Sequence, residues 1–123
     1  MEVERIIEAP ASRVWEVLTR FVYWPEWGPS VREVRCDEDE VRPGLTGRVR
    51  TPLGVWIPFE ITEVVPGRRW GWRVLGREAT GHEVEPLGPE RCVLRFTMPS
   101  WALPYALVCE VALRRIDAIA TSS

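Results

Sequence analysis

Lysine, asparagine and glutamine are absent from this 123-residue sequence, histidine occurs once and cysteine three times. Each scarcity excludes something. A lone histidine, His82, cannot build a two-histidine iron site or a histidine-rich zinc shell, and Cys36, Cys92 and Cys109 lie too far apart to form a metal knuckle. No metal and no cofactor are expected. The odd, dispersed cysteines give no disulfide framework either, and read as reduced thiols. Without lysine, all sixteen cationic side chains are arginines, scattered among eighteen acids for a net charge of −2. Basic residues that are not massed leave no nucleic-acid footprint. No run approaches the roughly 18 to 20 apolar residues that cross a bilayer, so no stable membrane insertion is expected. The opening MEVERIIEAP lacks the basic and then apolar order of a secretion signal, and the expected compartment is the cytoplasm.

What is present describes one ordinary domain over residues 1–123, with 46% hydrophobic and 28% charged residues. Residues 2–9 (EVERIIEA) read as a first strand that stops at Pro10. In PASRVWEVLTRF, Val14, Trp15, Val17, Leu18 and Phe21 fall at helical spacing, which predicts an amphipathic helix over 11–21. Period-two patterning then takes over. Strands are predicted near 31–37, 46–52, 55–65, 69–76, 78–86 and 91–98, separated by Pro and Gly turns, as in an antiparallel meander. Ile57, Phe59 and Ile61 alternate with Pro58, Glu60 and Thr62, and Trp70, Trp72 and Val74 alternate with Arg69, Gly71 and Arg73. The sheet therefore has one apolar face. A C-terminal helix over 102–120 is predicted to cover that face with the stripe Trp101, Tyr105, Val108, Ala112, Ile116 and Ile119.

Between the first helix and the second strand lies YWPEWGP, residues 23–29, three aromatic rings in a stretch that otherwise looks like a turn. Pro25 is placed to open one short helical turn there, and Gly28-Pro29 to end it. Rings that large in a connection imply either a wall beside a site or a clasp that fixes the turn. The clasp is the better reading for Trp24, while for Trp27 both stand.

The order of these elements, with Ala9-Pro10, Val14-Trp15, Trp24-Pro25, ITEVVPGRRWGWRV (61–74) and GHEVEPLG, resembles the polyketide cyclase/dehydrase branch of the START/Bet v 1-like (SRPBCC) superfamily. The resemblance covers essentially the whole chain. It implies an α+β helix-grip fold, a seven-stranded antiparallel sheet wrapped around a long C-terminal helix, with two short helices between strands 1 and 2. It also implies an apolar cavity between sheet and helix that takes lipids, polyketides or other hydrophobic small molecules.

On that resemblance the expected ligand-binding side chains are Trp27, Trp56, Phe59, Trp70, Trp72, His82, Phe96, Trp101 and Tyr105. The expected function is binding of a hydrophobic small molecule, with no assignable protein partner. Two rival readings are a polyketide cyclase or dehydratase, for which His82, Tyr105 and Arg73 are the catalytic candidates, and a co-chaperone-like interaction module. Glu60, Thr97 and Arg5 join the candidates only if their strands run in the opposite phase. The bland reading of His82 is a satisfied strand histidine.

Overall fold

The computed structural model describes residues 1–99 and 105–122. Strand β1 (Glu2–Ile7) leads into helix α1 (Ala11–Thr19), a 3-10 turn (Phe21–Tyr23) and the single turn α2 (Trp24–Trp27). Strands β2 (Glu33–Arg35), β3 (Thr46–Arg50), β4 (Trp56–Val65), β5 (Arg69–Val74), β6 (Arg77–Gly88) and β7 (Arg91–Thr97) follow, and helix α3 (Ala106–Thr121) closes the chain. The strands form one antiparallel sheet in the order β1-β7-β6-β5-β4-β3-β2. All the pairings are between sequence neighbours except β1 with β7, where Val3 faces Phe96 and Ile7 faces Cys92. This is the helix-grip arrangement, with the short helices where the sequence places them.

Local chemistry explains the punctuation. Pro25 occupies the first turn of α2, where its missing N–H costs nothing. Strand β5 ends at Val74, two residues earlier than the apolar pattern suggests, because Leu75 and Gly76 both take positive φ, 55° and 73°. Two such residues in a row make the tight turn whose twist matches an antiparallel hairpin. Register shifts in β4 at Ile61/Glu63, between β5 and β6 at Gly71/Arg73, and in β6 at Pro86/Gly88 bend the sheet, giving it a concave inner face.

Helix α1 shows why its connection carries tryptophans. The last four carbonyls of a helix have no intrahelical partner. Here Arg20 N–H donates to Glu16 O at 3.1 Å, Trp27 Nε1 to Val17 O at 2.9 Å, Trp24 Nε1 to Leu18 O at 3.0 Å and Val41 N–H to Thr19 O at 3.0 Å. Both indoles are buried clasps on the end of α1.

Helix α3 contacts β1, α1 and α2. Its buried residues are Cys109, Ala112, Leu113, Ile116 and Ala120. Ala112 and Ile116 lie on the predicted stripe, but the stripe as a whole is rotated: Val108 and Ile119 are only partly buried and Tyr105 is exposed. A helix apolar around most of its circumference does not specify which side faces the sheet, and packing against α1 selects it. The predicted start at residue 102, and Trp101 on the stripe, lie outside the described residues. No described helix is long and apolar enough to cross a membrane.

Candidate functional site

The centre of the concave face is occupied by rings. Trp24 stacks on Trp70 with centroids 5.1 Å apart and planes 8° apart, and meets Phe21 and Trp72 edge-on at 4.7 and 5.3 Å. On its other side Trp70 stacks against His82, centroids 3.8 Å apart, and His82 meets Phe96 edge-on at 4.7 Å. Phe59 joins this cluster through Trp24 and Trp72, each at 5.7 Å. Phe59 and Trp70 are thus packed core.

His82 is 1% exposed and fully hydrogen-bonded. Its Nδ1 lies 3.3 Å from the Trp70 carbonyl, which can only accept, so Nδ1 carries the proton. Nε2 then accepts from the Thr80 hydroxyl at 3.0 Å, and Thr80 Oγ1 in turn accepts from Trp72 Nε1 at 3.0 Å. Burial, with a smaller contribution from the Arg69 charge and against the opposing bond to Trp70, lowers the His82 pKa to about 3. The ring is neutral and its one lone pair is taken.

Two spaces remain. A void of about 40 Å³ lies between the ring cluster and α3, walled by Trp27, Trp70, His82, Phe96, Cys109 and Ala112 among others. A larger apolar basin of about 550 Å³ lies against β3, β4 and β5, whereas α3 packs mainly on β1, α1 and α2. Its walls are Val31, Val49, Ile57, Trp72, Val74 and Ala79, with Ser30, Thr51, Thr80, Pro99 and Tyr105 around them. Ser30, Val31, Trp72, Thr80 and Tyr105 border both spaces, so the void lies at the inner end of the basin. At the rim Ser30 Oγ and Tyr105 Oη are 2.6 Å apart, tying the segment after α2 to the start of α3.

Trp27, Trp70, Trp72, His82, Phe96 and Tyr105 therefore converge on the void, and Trp72 and Tyr105 also line the basin. Trp56 and Arg73 do not belong to this set. Trp56 pairs with Arg50, in the opposite phase to Ile57 and Phe59, and on the outer face it stacks under Arg35, whose guanidinium carbon is 4.8 Å from the ring centroid. Arg73, in phase with Glu60, pairs with it at 3.7 Å on that same outer face. Thr97 also faces outward, accepting from Arg69 at 3.4 Å. Arg5 shares the inner phase of Val3 and Ile7, but on the edge strand it reaches Asp117 of α3 at 2.6 Å. Ser30, Val31, Val49, Thr51, Ile57, Val74, Ala79, Thr80 and Pro99 complete the basin and are not among the expected ligand contacts. For Ile57, Val74 and Thr80 the signal was their inward strand phase. Among the described residues no three His, Cys, Asp or Glu side chains could share a metal ion.

The profile of the family described as polyketide cyclase/dehydrase and lipid transport matches residues 1–118. The chain belongs to that family. No curated protein matches it. Among solved structures it is similar to protein MLL2253 from Mesorhizobium loti, with 13% identity, TM-score 0.74, and 97% of this chain and 94% of that one covered. It is also similar to the Aha1 dimer from Colwellia psychrerythraea, with 18% identity, TM-score 0.73 and coverage of 98% and 96%. Protein CV1439 from Chromobacterium violaceum aligns with 17% identity, TM-score 0.70 and coverage of 100% and 97%. At these identities the likeness is one of fold.

Proposed function

We propose that the protein binds a hydrophobic small molecule, lipid-like or polyketide-like, in the basin between β3–β5 and the segment following α2, and that it does so in the cytoplasm. The observation that carries this reading is the basin's chemistry: about 550 Å³ of space against apolar side chains, in which Tyr105 is the only titratable group among the described lining residues. That volume falls in the range of small-molecule sites, and apolar walls with a few hydroxyls at the edge suit an apolar ligand. Membership of a family described as including lipid transport supports the same reading.

Proton-transfer chemistry is less well supported. A ring-closing enzyme needs a base near neutral pKa within reach of substrate. His82 is buried, held well below that range and already bonded to Thr80, and Arg73 is on the opposite face of the sheet.

Titration with N-phenyl-1-naphthylamine, whose emission rises in apolar surroundings, tests the reading. Wild type should bind saturably, and Val74→Asp, which puts a charge on the basin wall, should weaken binding at least about tenfold while the fold is retained. Equal affinity in the two proteins, or no saturable binding, would remove the basin as the site.

A further inference from the structure

Trp70 is 0% exposed, yet among the described residues its indole Nε1 has no hydrogen-bond partner. The other indole donors at the void are all engaged: Trp24 with Leu18 O, Trp27 with Val17 O and Trp72 with Thr80 Oγ1. A buried donor without a partner is costly, and native structures leave few of them. Trp70 is one wall of the 40 Å³ void at the inner end of the basin. A water needs on the order of 10–15 Å³ of such space, so a void of about 40 Å³ has room for a small polar group.

We propose that the void is the polar end of the binding site, where Trp70 Nε1 donates to a neutral acceptor oxygen on the leading end of an otherwise apolar ligand. The inference rests on the reading of the basin as a hydrophobic binding site and narrows its ligand class to ketones, esters or ethers. A carboxylate is disfavoured. The space is walled mainly by rings and apolar side chains, the Thr80 hydroxyl is committed to His82, and no cationic side chain is among the described residues lining it, so a charge there would go uncompensated. A hydrocarbon would leave Trp70 Nε1 as it stands.

Three probes of nearly one shape separate these cases: 2-acetylnaphthalene, 2-ethylnaphthalene and 2-naphthoate. One neutral hydrogen bond predicts that wild type binds the ketone about three- to tenfold more tightly than the hydrocarbon, with naphthoate no tighter than the hydrocarbon. In 1H–15N spectra of wild-type protein the assigned Trp70 indole signal should move downfield with the ketone and not with the hydrocarbon. The ketone preference should vanish in Trp70→Phe. The spectral readout needs no variant, so the test survives if Trp70→Phe fails to fold. Equal affinity for ketone and hydrocarbon, as expected if a permanent water satisfies Trp70, overturns the inference but keeps the basin. An unmoved Trp70 signal on saturation with ketone, or tightest binding by naphthoate, overturns it equally. Failure of all three probes to bind removes the basin reading, and this inference with it.

Discussion

The His82 imidazole lies face to face with the Trp70 indole, with ring centroids 3.8 Å apart and planes 20° apart, and donates through Nδ1 to the carbonyl of that same tryptophan. One residue thus supplies His82 with both its packing surface and its acceptor. The consequence is a neutral histidine in a place where a charge could not be hydrated.

Acid should therefore destabilise the fold through His82. Its folded pKa of about 3 lies below the unfolded value near 6.5, so between these limits the unfolded chain binds the extra proton. The contribution is complete above pH 6.5 and is lost as pH falls through the window. From pH 7 to pH 5 the loss amounts to about 2 kcal/mol. Urea unfolding at the two pH values should show that decrement in wild type and a smaller one in His82→Gln. Parallel decrements would place the proton uptake elsewhere.

Replacing Trp27 by phenylalanine keeps a ring but removes the donor to Val17 O, leaving a buried carbonyl at the end of α1 without its partner. The expected cost is about 1–3 kcal/mol. Trp24→Phe should cost more, because Trp24 also stacks on Trp70. Denaturant midpoints of the two variants check the order, and a Trp27→Phe protein as stable as wild type would refute the clasp.

On α3, Ala112 is 3% exposed and Leu107 is 72% exposed. Ala112→Asp should destabilise by several kcal/mol, since it buries an unpaired charge, whereas Leu107→Asp should stay within about 0.5 kcal/mol. Thermal melts of both variants compare the two sides of the helix directly. Similar melting temperatures would mean that α3 is not seated as described.

Much of this architecture was legible in the amino-acid order. The alternation through Ile57, Phe59 and Ile61 determined a strand and its inward face, because a pleated strand sends successive side chains to opposite sides. Pro10, Pro25 and the glycine turns set the element boundaries through backbone restrictions that act within a few residues. That same alternation already put Trp56 with Pro58 and Glu60 on the outer side, so expecting it among the ligand contacts gave too much weight to its ring and too little to its phase. The two spaces were a different matter. Alternation says which side chains face inward, and it cannot say whether they meet or leave a gap. Trp24, Trp70 and His82 are remote in sequence, yet the folded chain stacks them, filling the middle of the concave face. Val49, Ile57 and Val74 have the same inward character but lie on β3–β5, away from β1 on which α3 packs, and among the described residues they line a basin. Side-chain phase is a property of the local backbone and was determined by sequence. Whether the interior is packed or hollow depends on where one long helix lies across seven strands, and only the tertiary structure decided that.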